Sequence, residues 1–213
     1  MVYAVSDIHG CGYTFEKLIK HIQPTKNDTV ILLGDCFDRG LNSYKVYTLI
    51  KELQEKTNLI YIKGNHEQFL IDYFEYPNED HINWLYYNGG IATIDDFKRH
   101  NKSIHLIYEE VRQIASYFTI GDYYFVHAGL GTAKNPQSAD EYDLLWSRKS
   151  SNGDKPTIHG HTPLLKPMII NDGKDINIDT GACKGRALTT LILNLENDTI
   201  TFYSVNTDKR DII

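Results

Sequence analysis

Cysteine is scarce in this chain: Cys11, Cys36 and Cys183 are all there is. Three scattered thiols exclude a disulfide framework and point to a reduced, cytoplasmic setting. Long apolar stretches are missing too, since no run approaches the roughly 18 residues a membrane span needs. The first residues, Met1-Val2-Tyr3-Ala4-Val5, lack a basic segment and enter a strand pattern at once, so neither a signal peptide nor a membrane partner is expected. Positive charge is in deficit, with 22 Lys and Arg against 28 Asp and Glu and a net charge of -6. That balance excludes a protein that tracks a nucleic-acid polymer. It leaves open a phosphorylated substrate, because bound divalent cations reverse the local field. Internal repeats, low-complexity tracts and a convincing linker are also lacking. The loop at 133–151 is the weakest candidate for a break, and residues 1–213 are expected to form one domain. No spacing fixes an oligomeric state.

What the chain does have is ordinary globular composition, 41% hydrophobic and 23% charged, and short β-branched runs at Val2 to Val5, Val30 to Leu33 and Leu59 to Ile62. Between them, Phe15, Leu18, Ile19 and Ile22, then Val46, Leu49, Ile50 and Leu53, keep helical spacing. The pattern is β-α-β-α-β, the start of a parallel sheet. Residues 67–120 read as a helical insertion, with patterns around Phe69 to Phe74, Ile82 to Tyr87 and Ile104 to Tyr117. Six further strands are expected at Tyr123 to Val126, Thr157 to His159, Met168 to Ile170, Ile176 to Ile178, Leu188 to Leu193 and Ile200 to Val205. The expected fold class is α/β, two mixed sheets packed together with helices outside.

Five polar motifs each close a strand: Ser6-Asp7-Ile8-His9-Gly10, Gly34-Asp35-Cys36-Phe37-Asp38-Arg39-Gly40, Gly64-Asn65-His66-Glu67, His127-Ala128-Gly129 and Gly160-His161-Thr162. Their carboxylate, imidazole and amide donors match a two-metal hydrolase. If strand geometry persists past Val5, Asp7 and His9 point to one side and can chelate one ion. A carboxylate at a strand tip can bridge two cations, which suits Asp35. Asn65 offers a neutral oxygen, or else simply caps the following helix. His66 is free to act as general acid with Asp38 orienting it, and Arg39 presents a fork for phosphate oxygens. His127 and His161 complete the second ion, and the neighbouring His159 is given a supporting role. Cys11 and Cys36 read as buried packing. His21, His81, His100 and His105 fall outside every motif, and Tyr86, Tyr87, Tyr123 and Tyr124 read as core and strand packing.

At these motifs the chain resembles the phosphoprotein phosphatase branch of the calcineurin-like metallophosphoesterases: the compact bacterial and phage lambda-type phosphatases and the symmetrical bis(5'-nucleosyl)-tetraphosphatases. The resemblance implies a calcineurin-like sandwich with one metal held by Asp7, His9 and Asp35 and a second by Asp35, Asn65, His127 and His161. It also implies His66 as acid with Asp38 behind it, and Arg39 and Arg148 as phosphate clamps, Arg148 resting on the segment Trp146-Ser147-Arg148. Two departures stand out: Ser6 replaces a frequent Gly, and Lys63 replaces the Arg before Gly-Asn-His-Glu, keeping a charge for phosphate but losing the bidentate fork. Trp84-Leu85, Asn88-Gly89-Gly90 and Thr93 resemble a pocket-shaping segment of bacterial members. The expected reaction is direct attack by a hydroxide bridging two divalent ions, manganese first, with iron or zinc also compatible with the donor set. The first expected substrate is a phosphoserine or phosphothreonine protein or a small phosphomonoester, the alternative a dinucleoside polyphosphate of the diadenosine tetraphosphate type. A catalytically dead scaffold on this fold would lack a ligand or the acid, and none is missing.

Overall fold

The computed structural model describes residues 1–76 and 81–212. The expected alternation opens the chain: β1 (Val2–Val5), α1 (Gly12–Ile22), β2 (Thr29–Leu32), α2 (Ser43–Lys56) and β3 (Asn58–Tyr61). Parallel pairing of β1 with β2 and of β2 with β3 continues through antiparallel β9 (Ala187–Asn194) to β10 (Thr199–Asn206), giving the order β10-β9-β1-β2-β3. The second sheet has the order β4-β5-β6-β8-β7, from β4 (Tyr117–Ile120), β5 (Tyr123–Val126), β6 (Thr157–His159), β7 (Met168–Ile170) and β8 (Asp175–Asn177). Both sheets mix parallel and antiparallel pairs.

The alternation of side chains along the strands explains why the first runs are apolar throughout. Val2, Ala4, Ile31 and Leu33 pack against Phe125, Ile158 and Ile176 between the sheets, while Val5, Val30 and Leu32 pack against Phe15, Leu18, Val46 and Ile50 of the helices. A strand covered on both faces has no polar side to show. The outer face of the second sheet carries a smaller cluster in which Tyr124 and Val126 meet Leu144.

The stretch at 67–120 is largely helical, as expected, and differs in detail at two places. Helices α3 (Asn65–Glu75) and α5 (His105–Val111) and a π-helical turn at Asn83–Tyr87 are there, but so is α4 (Gly90–Arg99), hidden behind a glycine pair that reads as a turn. Gly89 takes φ +85° and enters the helix from the left-handed region. The other departure is β4, whose Tyr117–Ile120 pairs with β5 across a tight turn, although local spacing extends the preceding helix into it. Residues 77–80 of that stretch lie outside the described residues. A short helix, α6 (Glu141–Trp146), also interrupts the half expected to be mostly strands. Tyr123 and Tyr124 are buried as expected, whereas Tyr86 and Tyr87 are 68% and 81% exposed, because the π-helical turn directs them outward. Among the described residues no helix is long and apolar enough to cross a membrane.

A latch near the far end of the chain ties the helix layer to the motif loops. The buried Asp211 carboxylate accepts from Tyr13 N (3.0 Å), Thr14 N (2.8 Å), Thr14 Oγ1 (2.7 Å) and Asn42 Nδ2 (3.0 Å). Removing it leaves the first-turn amides of α1 without acceptors. Asp211→Ala is expected to cost about 3 kcal/mol, as loss of a buried charged acceptor does. Urea unfolding checks this, and a midpoint equal to wild type would contradict it.

Candidate active site

The motifs meet where β1, β2, β3, β5 and β6 end. Their side chains are aimed by backbone that only tight loops provide. Asp7, His9, Asp35, Asp38, Arg39 and His161 all have positive φ, between 46° and 70°. Left-handed backbone in non-glycine residues is uncommon and costs about 1 kcal/mol or more each, so its concentration at one place marks a site the surrounding structure holds under strain. The period-two expectation for Asp7 and His9 is thereby corrected: β1 stops at Val5, and the two residues lie in a loop rather than on a continuing strand. That loop is bonded to its neighbour through His9 N to Asp35 O (2.9 Å), Gly10 N to Cys36 O (2.9 Å) and Gly40 N to His9 O (3.0 Å).

Two compact groups of donors share Asp35: His9, Asp35 and His66, and Asp35, His127 and His161. Hydrogen bonds to backbone carbonyls define the state of two imidazoles. A carbonyl only accepts, so His9 Nδ1 donates to Phe37 O (3.0 Å) and His127 Nδ1 donates to Leu33 O (2.8 Å). Burial pushes both rings well below the ordinary histidine pKa, which keeps them neutral, and their Nε2 atoms therefore carry lone pairs. His127 Nε2 then points its lone pair at Asn65 Oδ1 (2.9 Å) and lies 3.4 Å from Asp35 Oδ1. His9 Nε2 lies 3.5 Å from Asp35 Oδ2 and accepts from Arg39 Nη1 at 2.7 Å. Acceptor facing acceptor is repulsive unless a cation stands between. Among the described residues only four buried side-chain polar atoms lack a partner, and two are His66 Nε2 and His161 Nε2. Carboxylate, imidazole and amide oxygen converging in this way fit a pair of divalent ions.

Carboxylate crowding supports the same fit. Burial first, then the charge of Asp179, pushes the Asp7 carboxyl well above its ordinary range. Asp35 is pushed up by burial and then by Asp7 and Glu67, and burial lifts Asp179 to about 6. Three acids with so little solvent need positive charge beside them. Asp7 itself lies outside the two compact groups, its carboxylate accepting from His161 N at 3.0 and 3.1 Å.

His66 is held from behind. Its Nδ1 donates to Asp38 Oδ2 (2.7 Å), which also accepts from Trp84 Nε1 (2.7 Å), while Asp38 Oδ1 accepts from Thr93 Oγ1 (2.8 Å). Glu67 fixes the loop beneath by accepting from Asp35 N (2.7 Å), Cys36 N (3.0 Å), Gly64 N (2.9 Å) and Tyr61 Oη (2.7 Å). A side chain at Gly64 would collide with the Asp35 carboxylate, which is why glycine precedes Asn65.

A pocket of about 330 Å³ opens over these groups, lined by His9, Asp35, Asn65 and His161 and rimmed by the exposed Arg39 and Arg148. Arg148 rests on Thr162 Oγ1 (3.3 Å). Lys63 stands apart from the other expected phosphate contacts: its ammonium is tied to Glu141 Oε1 and Gln68 Oε1, both at 2.8 Å, and it does not line the pocket. His159 turns away from the ion-binding groups and bonds to Asp175. Cys11 and Cys36 are buried, and burial raises both thiols far above the ordinary range.

Three contributors were missed by the sequence reading. Asp179 carried the same signal as Asp35, an apolar residue followed by an acid and a nearby glycine in Ile178-Asp179-Thr180-Gly181. Trp84 and Thr93 read in the sequence only as pocket-shaping, whereas both bond directly to Asp38. Nothing in their spacing announces that contact.

Comparison with known proteins agrees with the geometry. Residues 1–185 match the family described as calcineurin-like phosphoesterase. The chain is 26% identical to the asymmetrical bis(5'-nucleosyl)-tetraphosphatase PrpE of Oceanobacillus iheyensis, covering 87% of this chain and 85% of that one. It is 27% identical to Shewanella-like protein phosphatase 1 of Plasmodium berghei, covering 73% of this chain but 46% of that one. The tetraphosphatase relative is thus of the asymmetrical kind, where the motif resemblance pointed to the symmetrical group. Among solved structures, a putative diadenosine tetraphosphatase superposes with a TM-score of 0.73 at 18% identity, covering 98% of this chain and 94% of that one. A cold-active protein-tyrosine phosphatase of a psychrophilic Shewanella species gives 0.65 at 16% identity, covering 97% and 80%.

Proposed function

This chain belongs to the calcineurin-like phosphoesterases, metal-dependent hydrolases built around a binuclear divalent site, and on that premise we propose that it hydrolyses dinucleoside polyphosphates. The observation that carries the chemistry is His66, anchored through Nδ1 on Asp38 with its Nε2 unpartnered beside Asp35. The choice of substrate is supported by relatives of matching length, whose similarity to this chain spans most of both sequences. Phosphoserine and phosphothreonine proteins, the first expectation from the motifs, remain the second reading, favoured by the Plasmodium relative.

In this reading Asp7, His9 and Asp35 hold one ion, and Asp35, Asn65, His127 and His161 hold the other, with manganese the proposed metal in a reducing cytoplasm. When bound, such a pair polarises the phosphoryl oxygens and acidifies water. The protein's own part is positioning and proton supply. Arg39 and Arg148 hold the phosphate from the pocket rim, offering planar forks to its oxygens. His66 gives a proton from Nε2 to the departing oxygen while the Asp38 carboxylate balances the charge that the ring carries beforehand.

The test begins with metal-stripped protein. Manganese at about 100 times its dissociation constant is expected to add about 2.7 kcal/mol of stability and raise the melting temperature by roughly 5–10 °C. Turnover is then compared for diadenosine tetraphosphate and a phosphoserine peptide. A flat melting curve together with no hydrolysis of either substrate would overturn the reading, and faster turnover of the peptide would replace it with the second one.

A further inference from the structure

Beside the ion-binding pocket lies a second cleft of about 400 Å³, joined to the first through Asn88 and Trp146, which line both. Its walls include Phe69, Trp84, Tyr142 and Trp146, with Asp72 and Asn88 supplying polar edges. The reaction described above uses none of these walls directly. Yet they start within one ring of it: Phe69 packs edge-on against His66 with centroids 5.7 Å apart, and Trp146 against His161 at 6.2 Å. Phe69 and Trp146 meet edge to face at 5.3 Å, and Tyr142, 69% exposed, lies near-parallel to Trp146 at 6.3 Å with 23° between planes.

We infer that this cleft is a nucleobase subsite, in which the purine of a nucleoside polyphosphate stacks on Trp146 and Tyr142 while its phosphates reach the neighbouring pocket. The inference rests on the phosphoesterase reading and goes further by naming what the non-reacting end of the substrate must be. Three features select a base. Aromatic faces accept any flat π-system, and cleft volumes of this order are typical of small-ligand sites. Among the described residues the lining carries Asp72 and His81 and no lysine or arginine, so it favours a flat uncharged group over a second phosphate. Asp72 uses Oδ1 to accept from Gln68 Nε2 (2.8 Å), which leaves Oδ2 for an exocyclic amino group or ring N–H of a base. A bare phenyl ring, such as that of phosphotyrosine, would offer no donor to this Asp72 oxygen.

The chain has two tryptophans, and both line the cleft, so intrinsic fluorescence reads its occupancy without any reaction. Adenosine, which has no phosphate, is expected to quench this emission saturably in metal-free protein. Tyr142→Ala is expected to weaken that binding about 5- to 150-fold, the range for loss of one stacking partner. In the manganese-loaded protein, Trp146→Phe and Tyr142→Ala are expected to lower kcat/KM for diadenosine tetraphosphate at least tenfold more than for tripolyphosphate, which has no base. Equal losses on both substrates, no quenching by adenosine, or tighter binding of phosphotyrosine than of adenosine monophosphate would overturn the subsite and leave the phosphoesterase reading standing. Adenosine quenching with no hydrolysis of any phosphate compound would do the reverse.

Discussion

Asp35→Asn is expected to abolish manganese-dependent stabilisation and to lower kcat/KM about a thousandfold or more, equivalent to roughly 4 kcal/mol of lost transition-state stabilisation. Asp35 is the one side chain common to both donor groups, with Oδ2 toward His9 and Oδ1 toward His127. Oδ1 also accepts from His66 N (3.0 Å). An asparagine keeps its oxygen there and turns its amide nitrogen toward the His9 lone pair. The substitution therefore fits the metal-free protein, and it removes a carboxylate whose charge is opposed by burial and by Asp7. In chelator, the variant is expected to melt no lower than wild type. Only in manganese should the two separate, with the wild type rising and the variant unchanged. Loss of folding is thus distinguished from loss of the ions by one pair of melting curves. A variant that still gains stability from manganese and turns over normally would show that Asp35 is not the shared ligand.

That contrast follows from how the site is assembled. The chain buries Asp7, Asp35, Asp179, His9, His127 and His161 at the junction of two sheets, an arrangement that opposes folding as long as acids crowd acids and lone pairs face oxygens. Positive-φ loops add to the cost. The offset comes from the apolar layers on either side of the first sheet and from buried carboxylates that are fully bonded, Glu67 and Asp211 above all.

Much of this was legible in the sequence for a simple reason. A fully covered parallel strand must be apolar and must stop abruptly, so the residues that stop it stand out; Asp35 after Val30 to Leu33 and Asn65 after Leu59 to Ile62 were visible on that ground. What stayed hidden was set by contacts between distant segments. β4 is a strand because β5 pairs with it, although its own residues continue a helical spacing. α4 begins at Gly90 behind Gly89, a pair that reads as a turn, and Gly90 packs flat on the Trp84 indole, where a side chain would clash. The substrate itself was not legible in the motifs either. The motifs alone put a phosphoprotein first, since they encode the reaction and say nothing of the substrate's far end. The cleft walls come from α3, the π-helical turn and α6, which are separated in sequence by up to some seventy residues, and no local pattern announces that they meet.

His66→Asn is expected to slow hydrolysis of a phosphoserine peptide, whose strongly basic serine alkoxide must be protonated as it leaves, by about 10²- to 10⁴-fold, the range for loss of a positioned general acid. With p-nitrophenyl phosphate and diadenosine tetraphosphate the loss should be much smaller, within about tenfold, because nitrophenolate and a nucleotide's phosphate oxygen are weak bases that leave with little need of the acid. This difference between leaving groups separates two roles the geometry permits. His66 shares a donor group with His9 and Asp35, as an ion ligand would; the proposed role as proton donor rests instead on its Nδ1 bond to Asp38, reinforced by Trp84 and Thr93. A ligand's loss lowers every rate alike and erases the manganese-induced rise in melting temperature. The acid's loss spares that rise and tracks the basicity of the leaving oxygen. Asp38→Asn, which leaves the ring in place but removes the charge behind it, is expected to follow the same leaving-group order with a smaller penalty. Uniform losses across the three substrates in His66→Asn, with no manganese-induced rise, would assign His66 to the metal instead.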